Sequence, residues 1–136
     1  MPISSCSLSV EASGWIAVVD DDVSVREAIS SLLRAHSLHA RTFGSAEAFL
    51  PALVAELPSC AIFDLHMPGR TGLELLQHLR ANGLQIPAII VTASANPRLR
   101  EHCEAAGASA FLTKPFNDTM LLAAIEQATG SARESA

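Results

Sequence analysis

At 136 residues, with 49% apolar and 17% charged side chains, the chain is long enough for one domain burying roughly two-thirds of its unfolded surface. It is too apolar to remain disordered. A formal net charge of −5 makes the domain a poor match for a phosphate backbone, so any contact with DNA falls to another segment. Cys6, Cys60 and Cys103 are odd in number, widely spaced and without a C-x-x-C pair, which suggests neither a disulfide framework nor a zinc site.

Residues 1–13 read as a flexible, Ser-rich extension; they lack the basic and apolar regions of a signal peptide. No run approaches the ~18 apolar residues of a membrane span. A cytoplasmic chain is the expectation, since free cysteines suit a reducing compartment. The apolar run Trp15-Ile16-Ala17-Val18-Val19 predicts a strand buried on both faces. Val25, Ala28, Ile29, Leu32 and Leu33 then recur at helical spacing. Two starts are open for that helix: a Ser24–Glu27 capping box, or Asp22 as the cap. Residues 38–43, LHARTF, alternate and predict a polar edge strand. Ala46, Phe49, Leu50, Leu53 and Leu57 return to the helical period as one helix closed by Pro58.

The alternation continues. CAIFD at 60–64 predicts a strand with Cys60 in the core, Pro68-Gly69 a turn, and Leu73, Leu76 and Leu79 a helix ended by Asn82-Gly83. PAIIVT at 87–92 predicts a strand, and Arg98 to Ala106 a shorter polar helix ended by Gly107. SAFLT at 109–113 is the last strand; Leu121, Ala124, Ile125 and Ala128 mark the last helix, and 131–136 an unstructured tail. Five strand-then-helix units predict an α/β fold over 14–130: a doubly wound, five-stranded parallel sheet of order 2-1-3-4-5.

In such a sheet, ligands sit beyond the carboxyl ends of the strands, where the winding reverses between strands 1 and 3. Strand 1 ends in Asp20-Asp21, strand 3 in Asp64, strand 4 in Thr92, and strand 5 runs into Lys114. Two like charges ~4 Å apart repel by roughly 4 kcal/mol at an effective dielectric near 20, so a cation belongs among these carboxylates. Asp20, Asp21 and Asp64, with a backbone carbonyl at His66, form a hard-oxygen set that suits Mg²⁺ (or Mn²⁺) better than zinc. The five histidines show no H-x-x-x-H, so a histidine metal site is not expected. An ionised aspartate beside Mg²⁺ and a lysine is a nucleophile for phosphoryl groups. Asp22 is expected to cap or to face solvent.

Together VVDDD (18–22), FDLHMPGRTG (63–72), IIVTA (89–93), Gly107-Ala108 and FLTKPF (111–116) resemble the receiver domain of bacterial two-component response regulators, a flavodoxin- and CheY-like fold. FGSAEAFL and KPFNDTMLLAAI are most similar to the FixJ-like branch, whose receivers precede LuxR-type helix-turn-helix domains. The resemblance implies that Asp64 accepts a phosphoryl group from a histidine kinase or phosphotransfer protein, that Asp20 and Asp21 bind Mg²⁺, and that Thr92, Ala93 and Lys114 contact the phosphoryl. It further implies a cis Lys114–Pro115 peptide, a switch aromatic at Phe111, and tuning of the aspartyl phosphate's lifetime by His66 and Ser94. The expected output is a changed face around the last strand and its flanking helices. That face is offered to a partner, a second copy or an output domain, with no direct DNA binding by this domain, no membrane contact and no turnover beyond slow self-dephosphorylation.

Two rival readings carry distinct expectations. Asp20-x-Asp22 resembles the nucleophile motif of haloacid-dehalogenase-like phosphohydrolases, which leaves Asp64 and Lys114-Pro115 unexplained. A receiver-like interaction domain that never takes phosphate is the other.

Overall fold

The computed structural model describes residues 14–67, 69–94 and 96–130. The expected extension at 1–13 with Cys6, the tail at 131–136, and Pro68 of the expected turn lie outside the described residues. Strands β1 (Ile16–Val19), β2 (Ala40–Phe43), β3 (Cys60–Asp64), β4 (Ala88–Thr92) and β5 (Ala110–Thr113) form one sheet in the order β2-β1-β3-β4-β5. Every neighbouring pair is parallel. The helices are α1 (Val23–Ala35), the single turns α2 (Ala46–Phe49) and α3 (Ala52–Ala55), then α4 (Gly72–Ala81), α5 (Pro97–Ala105) and α6 (Asp118–Thr129).

Alternation along the buried strands divides the core in two. Ala17, Val19, Ala61, Phe63, Ala88 and Ile90 pack with Phe49, Leu75, Leu76, Leu79 and Cys103, under α2, α4 and α5. Ile16, Val18, Cys60, Ile62, Ile89 and Val91 pack on the other side with Ile29, Leu33, Leu121 and Ile125 of α1 and α6. Successive residues point to opposite faces, so a strand with helices on both sides must be apolar throughout. β2 lies at an edge and exposes Arg41 and Thr42. The Arg41 guanidinium sits 4.4 Å from the Trp15 ring, and a cation on the edge discourages pairing with another chain. Cys60 and Cys103 are buried free thiols; burial pushes Cys60 up to about 12, which makes it an inert core residue.

Local chemistry sets the element ends. Of the two starts open for α1, Asp22 is the cap: its carboxylate accepts from the Ser24 N–H at 2.9 Å. At the far end, Leu38 N–H donates to the Leu33 carbonyl and Ser37 N–H to that of Arg34, a Schellman closure. It holds Ser37 at φ 62°, a left-handed position that glycine occupies with less strain. The single helix expected over 46–57 is instead two turns, α2 and α3, broken at Pro51. Proline has no N–H to donate and its ring crowds the preceding turn. The chain then leaves the helix at Ala55, before Pro58, with Val54 and Leu57 exposed.

α4 begins with a reciprocal capping box of Thr71 and Glu74, legible as T-x-x-E but not anticipated. Its first residue, Gly72, admits no side chain: a Cβ there would stand 2.5 Å from the Asp64 carbonyl oxygen. The helix start is thereby pressed against the end of β3. α5 begins one residue earlier than expected, with Asn96 as cap and Pro97 in its first turn.

Replacing Ser37 by glycine should raise stability by about 1 kcal/mol, because it relieves a left-handed residue at some cost in unfolded-state entropy. Urea denaturation measures this, and an unchanged or lower midpoint would contradict the strain.

Candidate functional site

The register of the sheet assembles the site. Val19 pairs with Phe63, so the next residues, Asp20 and Asp64, leave the sheet side by side at the point where the winding reverses. Thr92 pairs with Thr113, which sets Lys114 immediately beyond the same rim, its N–H donating to the Thr92 carbonyl at 2.7 Å. Asp20, Asp21 and Asp64 each bring one carboxylate oxygen within 4.8 Å of the others. Asp20 and Asp64 are buried, whereas Asp21 is exposed. The Lys114 ammonium lies 3.4 Å from Asp20 Oδ2 and 3.7 Å from Asp64 Oδ1. The three carboxylates and the lysine expected at one rim are therefore brought together there.

Each group's remaining bonds define its freedom. Asp20 Oδ1 accepts the Asp22 N–H at 2.9 Å, and the Asp20 carbonyl accepts from the Arg26 guanidinium at 2.6 Å. Asp64 Oδ1 accepts the His66 N–H at 3.3 Å. The fully buried Thr92 accepts the Ser94 N–H on its hydroxyl oxygen at 3.0 Å, which leaves the O–H free to donate. Ala93 and the His66 side chain are exposed on this rim. Lys114–Pro115 is cis. Phe111 is half-buried against the α4–α5 core, with the Arg100 guanidinium 5.8 Å from its ring. Asp22, at the start of α1, turns to Ser24 and not to Asp20, so the pair Asp20-x-Asp22 forms no joint site of the phosphohydrolase kind. Arg26 was not anticipated. Its one sequence signal is a cation in the opening turns of a helix, where the dipole disfavours positive charge.

The electrostatics are unbalanced. Burial pushes the Asp64 carboxyl above its usual range and Asp20 pushes it further; Lys114 and the His66 N–H oppose this, and Asp21 adds a smaller upward push. One lysine faces three carboxylates, and such a set fits a small divalent cation bound by hard oxygens. Among the described residues no other group of three or more acidic, histidine or cysteine side chains is arranged to hold a metal. Nor is any described helix long and apolar enough to cross a membrane.

Over most of its length the chain is similar to known proteins. The signature of the response regulator receiver domain matches residues 16–126. The transcriptional regulatory protein FixJ of Azorhizobium caulinodans is 38% identical over 88% of this chain and 56% of its own length. The response regulator protein TmoT of Ectopseudomonas mendocina is 40% identical over 83% of this chain and 51% of its own. The chain thus spans a little over half the length of these curated relatives. The crystal structure of FixJ-N superposes with a TM-score of 0.80 at 32% identity, covering 86% of this chain and 94% of that one.

Because the fold disfavours a charged Asp64, Asp64→Asn should stabilise the metal-free protein at neutral pH. The sign follows from a raised folded-state value: the cost is present above it and vanishes below the unfolded value of 3.8. The gain should fade as pH approaches 4, as read from urea midpoints in chelator; a loss of stability at pH 7 would contradict it. As the match runs unbroken from the first strand into the last helix, the chain belongs to the receiver domains of two-component response regulators, signalling modules that accept a phosphoryl group on an aspartate.

Proposed function

We propose that Asp64 is the phosphoacceptor, taking its phosphoryl group from a phosphohistidine on a sensor histidine kinase or phosphotransfer protein. The observation that carries this is a carboxylate 6% exposed, hemmed in by Asp20, Asp21 and Lys114 at the reversal point of the sheet. A carboxylate oxygen of Asp64 attacks phosphorus; the P–O bond forms as the P–N bond breaks, and the electron pair stays on the imidazole nitrogen, which takes up a proton. Asp20, Asp21 and Asp64, with the His66 backbone carbonyl, would hold Mg²⁺ (or Mn²⁺), which supplies positive charge for the transferring oxygens. Lys114, already shared between Asp20 and Asp64, moves its ammonium onto the phosphoryl oxygens. The Thr92 hydroxyl donates to them, and Ala93 beside it lines the same pocket.

Charge at Asp64 is read out at Thr92. Drawing its hydroxyl inward shifts the β4 end and the environment of Phe111, altering the face of α5, β5 and α6 that meets a partner, a second copy or an output domain. An apolar groove of Val25, Ala28, Ile29, Leu32 and Phe116 adjoins Lys114 and would offer the phosphodonor an apolar surface near the acceptor. His66 and Ser94 flank the pocket and set how fast water removes the phosphoryl, so the domain holds a signal and does not turn over. The folded unit is 14–130, and the chain acts in the cytoplasm. Relatives named transcriptional regulators, about twice as long, support a transcriptional output carried by a segment outside this chain.

Incubation with a small phosphodonor and Mg²⁺ should add about 80 Da to the intact mass of the wild type and nothing to Asp64→Asn. Decay of the adduct should differ in His66→Ala. No adduct would refute the reading, and phosphomonoester turnover that survives Asp64→Asn would favour a hydrolase. Mg²⁺ at ~100 times its dissociation constant should stabilise the protein by about 2.7 kcal/mol. Asp21→Asn should lose most of that gain, and an undiminished Mg²⁺ response in thermal melts would remove Asp21 from the metal site.

A further inference from the structure

Arg26 is an unusual residue for its place. It stands in the first turns of α1, where a cation meets the positive end of the helix dipole. Among the described residues the ion pairs are Arg100–Glu104, Lys114–Asp20 and Lys114–Asp64. The Arg26 charge is therefore given to no carboxylate, although three stand close by in sequence or space. It goes instead to one backbone oxygen: Nη1 donates to the Asp20 carbonyl at 2.6 Å.

Gly44, just beyond β2, explains how the guanidinium fits. A Cβ on Gly44 would lie 3.2 Å from Nη1, 3.7 Å from Cζ and 4.0 Å from Nη2 of Arg26, and the φ of this glycine is not in the left-handed region. The backbone at Gly44 therefore does not itself call for glycine, while a Cβ there would crowd the end of the Arg26 side chain. The Nη1 tip of the guanidinium comes nearest to it, so a side chain at position 44 would press on the end of Arg26. Asp20 N–H meanwhile donates to the Phe43 carbonyl at 3.1 Å. Arg26 thereby spans the loop after β1 and the loop after β2.

We propose that Arg26, seated on Gly44, is a positioning residue that fixes the Asp20 backbone and so pre-organises the acidic cluster for its divalent cation. The inference rests on the Mg²⁺ reading above. Without the brace, repulsion among Asp20, Asp21 and Asp64 lets the β1–α1 loop spread, and the cation must gather the carboxylates back before binding. Partners one step removed from a metal ligand act in this way on affinity.

The test is Mg²⁺ titration by calorimetry on the full chain, with metal-free thermal stability measured alongside. Arg26→Ala should weaken Mg²⁺ binding about ten-fold, the lower end of what such partners contribute. Arg26→Lys, which keeps the charge but loses the flat guanidinium, should recover only part of it. Arg80→Ala serves as the control for stability alone, because Arg80 bonds the Leu84 and Gly107 carbonyls at the opposite end of the sheet; it should leave Mg²⁺ affinity unchanged. Gly44→Val, whose branched side chain crowds the guanidinium, should weaken Mg²⁺ binding in the wild type and add nothing in the Arg26→Ala background. Unchanged Mg²⁺ affinity in Arg26→Ala overturns the proposal while leaving the metal site standing, and so does an equal effect of Gly44→Val in both backgrounds. A wild type that binds no Mg²⁺ overturns the metal reading and this inference together.

Discussion

Asp20 and Asp64 are both buried at the rim of the sheet and share the ammonium group of Lys114. For Asp64, desolvation favours the neutral acid, repulsion from Asp20 favours it further, and the lysine offsets only part of the imbalance. A site in this state answers strongly to added positive charge and to any reaction that converts a carboxylate into a different group. Much of the surrounding structure serves to hold the two side chains in that uncomfortable proximity.

The holding begins with the backbone. Parallel register brings the first residue after β1 level with the last residue of β3, and no side-chain preference can undo it. Gly72 lets α4 start against the Asp64 carbonyl, and the Thr71–Glu74 box fixes that start. Asp22 caps α1 while its N–H binds Asp20 Oδ1, so the triplet of aspartates divides its labour: one paired with the lysine, one exposed beside the cluster, one spent on the helix. Arg26 bonds the Asp20 carbonyl from the first turn of α1. Like charge gathers at the carboxyl ends of the strands, above a platform packed with apolar side chains on both faces.

The same economy accounts for the contrast between the two edges of the sheet. β2 is short, polar and covered at Trp15 by Arg41. β5 is partly exposed along its length and carries both Lys114 at its end and Phe111 in its middle. A change at the rim therefore reaches solvent by a short path on that side. The proposed signalling by way of β5 would use its place at the edge, next to the strand that ends in Thr92.

Hydrophobic period alone made most of this legible. Runs such as AIFD and AIIVT leave no choice but strands covered on both faces, and five strand–helix units with right-handed crossovers leave few windings. That pattern alone places Asp20, Asp21, Asp64, Thr92 and Lys114 at one rim. Pro51 was a missed local signal, since its lack of an N–H splits the helix expected over 46–57. The T-x-x-E at Thr71 was another. Other features lay beyond local sequence. Whether Asp22 or a Ser24–Glu27 pair caps α1 depends on where the β1 end points. Ser37 takes a left-handed conformation because Leu38 must return to the core. Arg26 bonds the Asp20 carbonyl beside Gly44, which is distant in sequence. Which groups meet follows from apolar pattern and register, which set the strand ends. How those groups are bonded follows from ångström-scale distances across loops that no periodicity encodes.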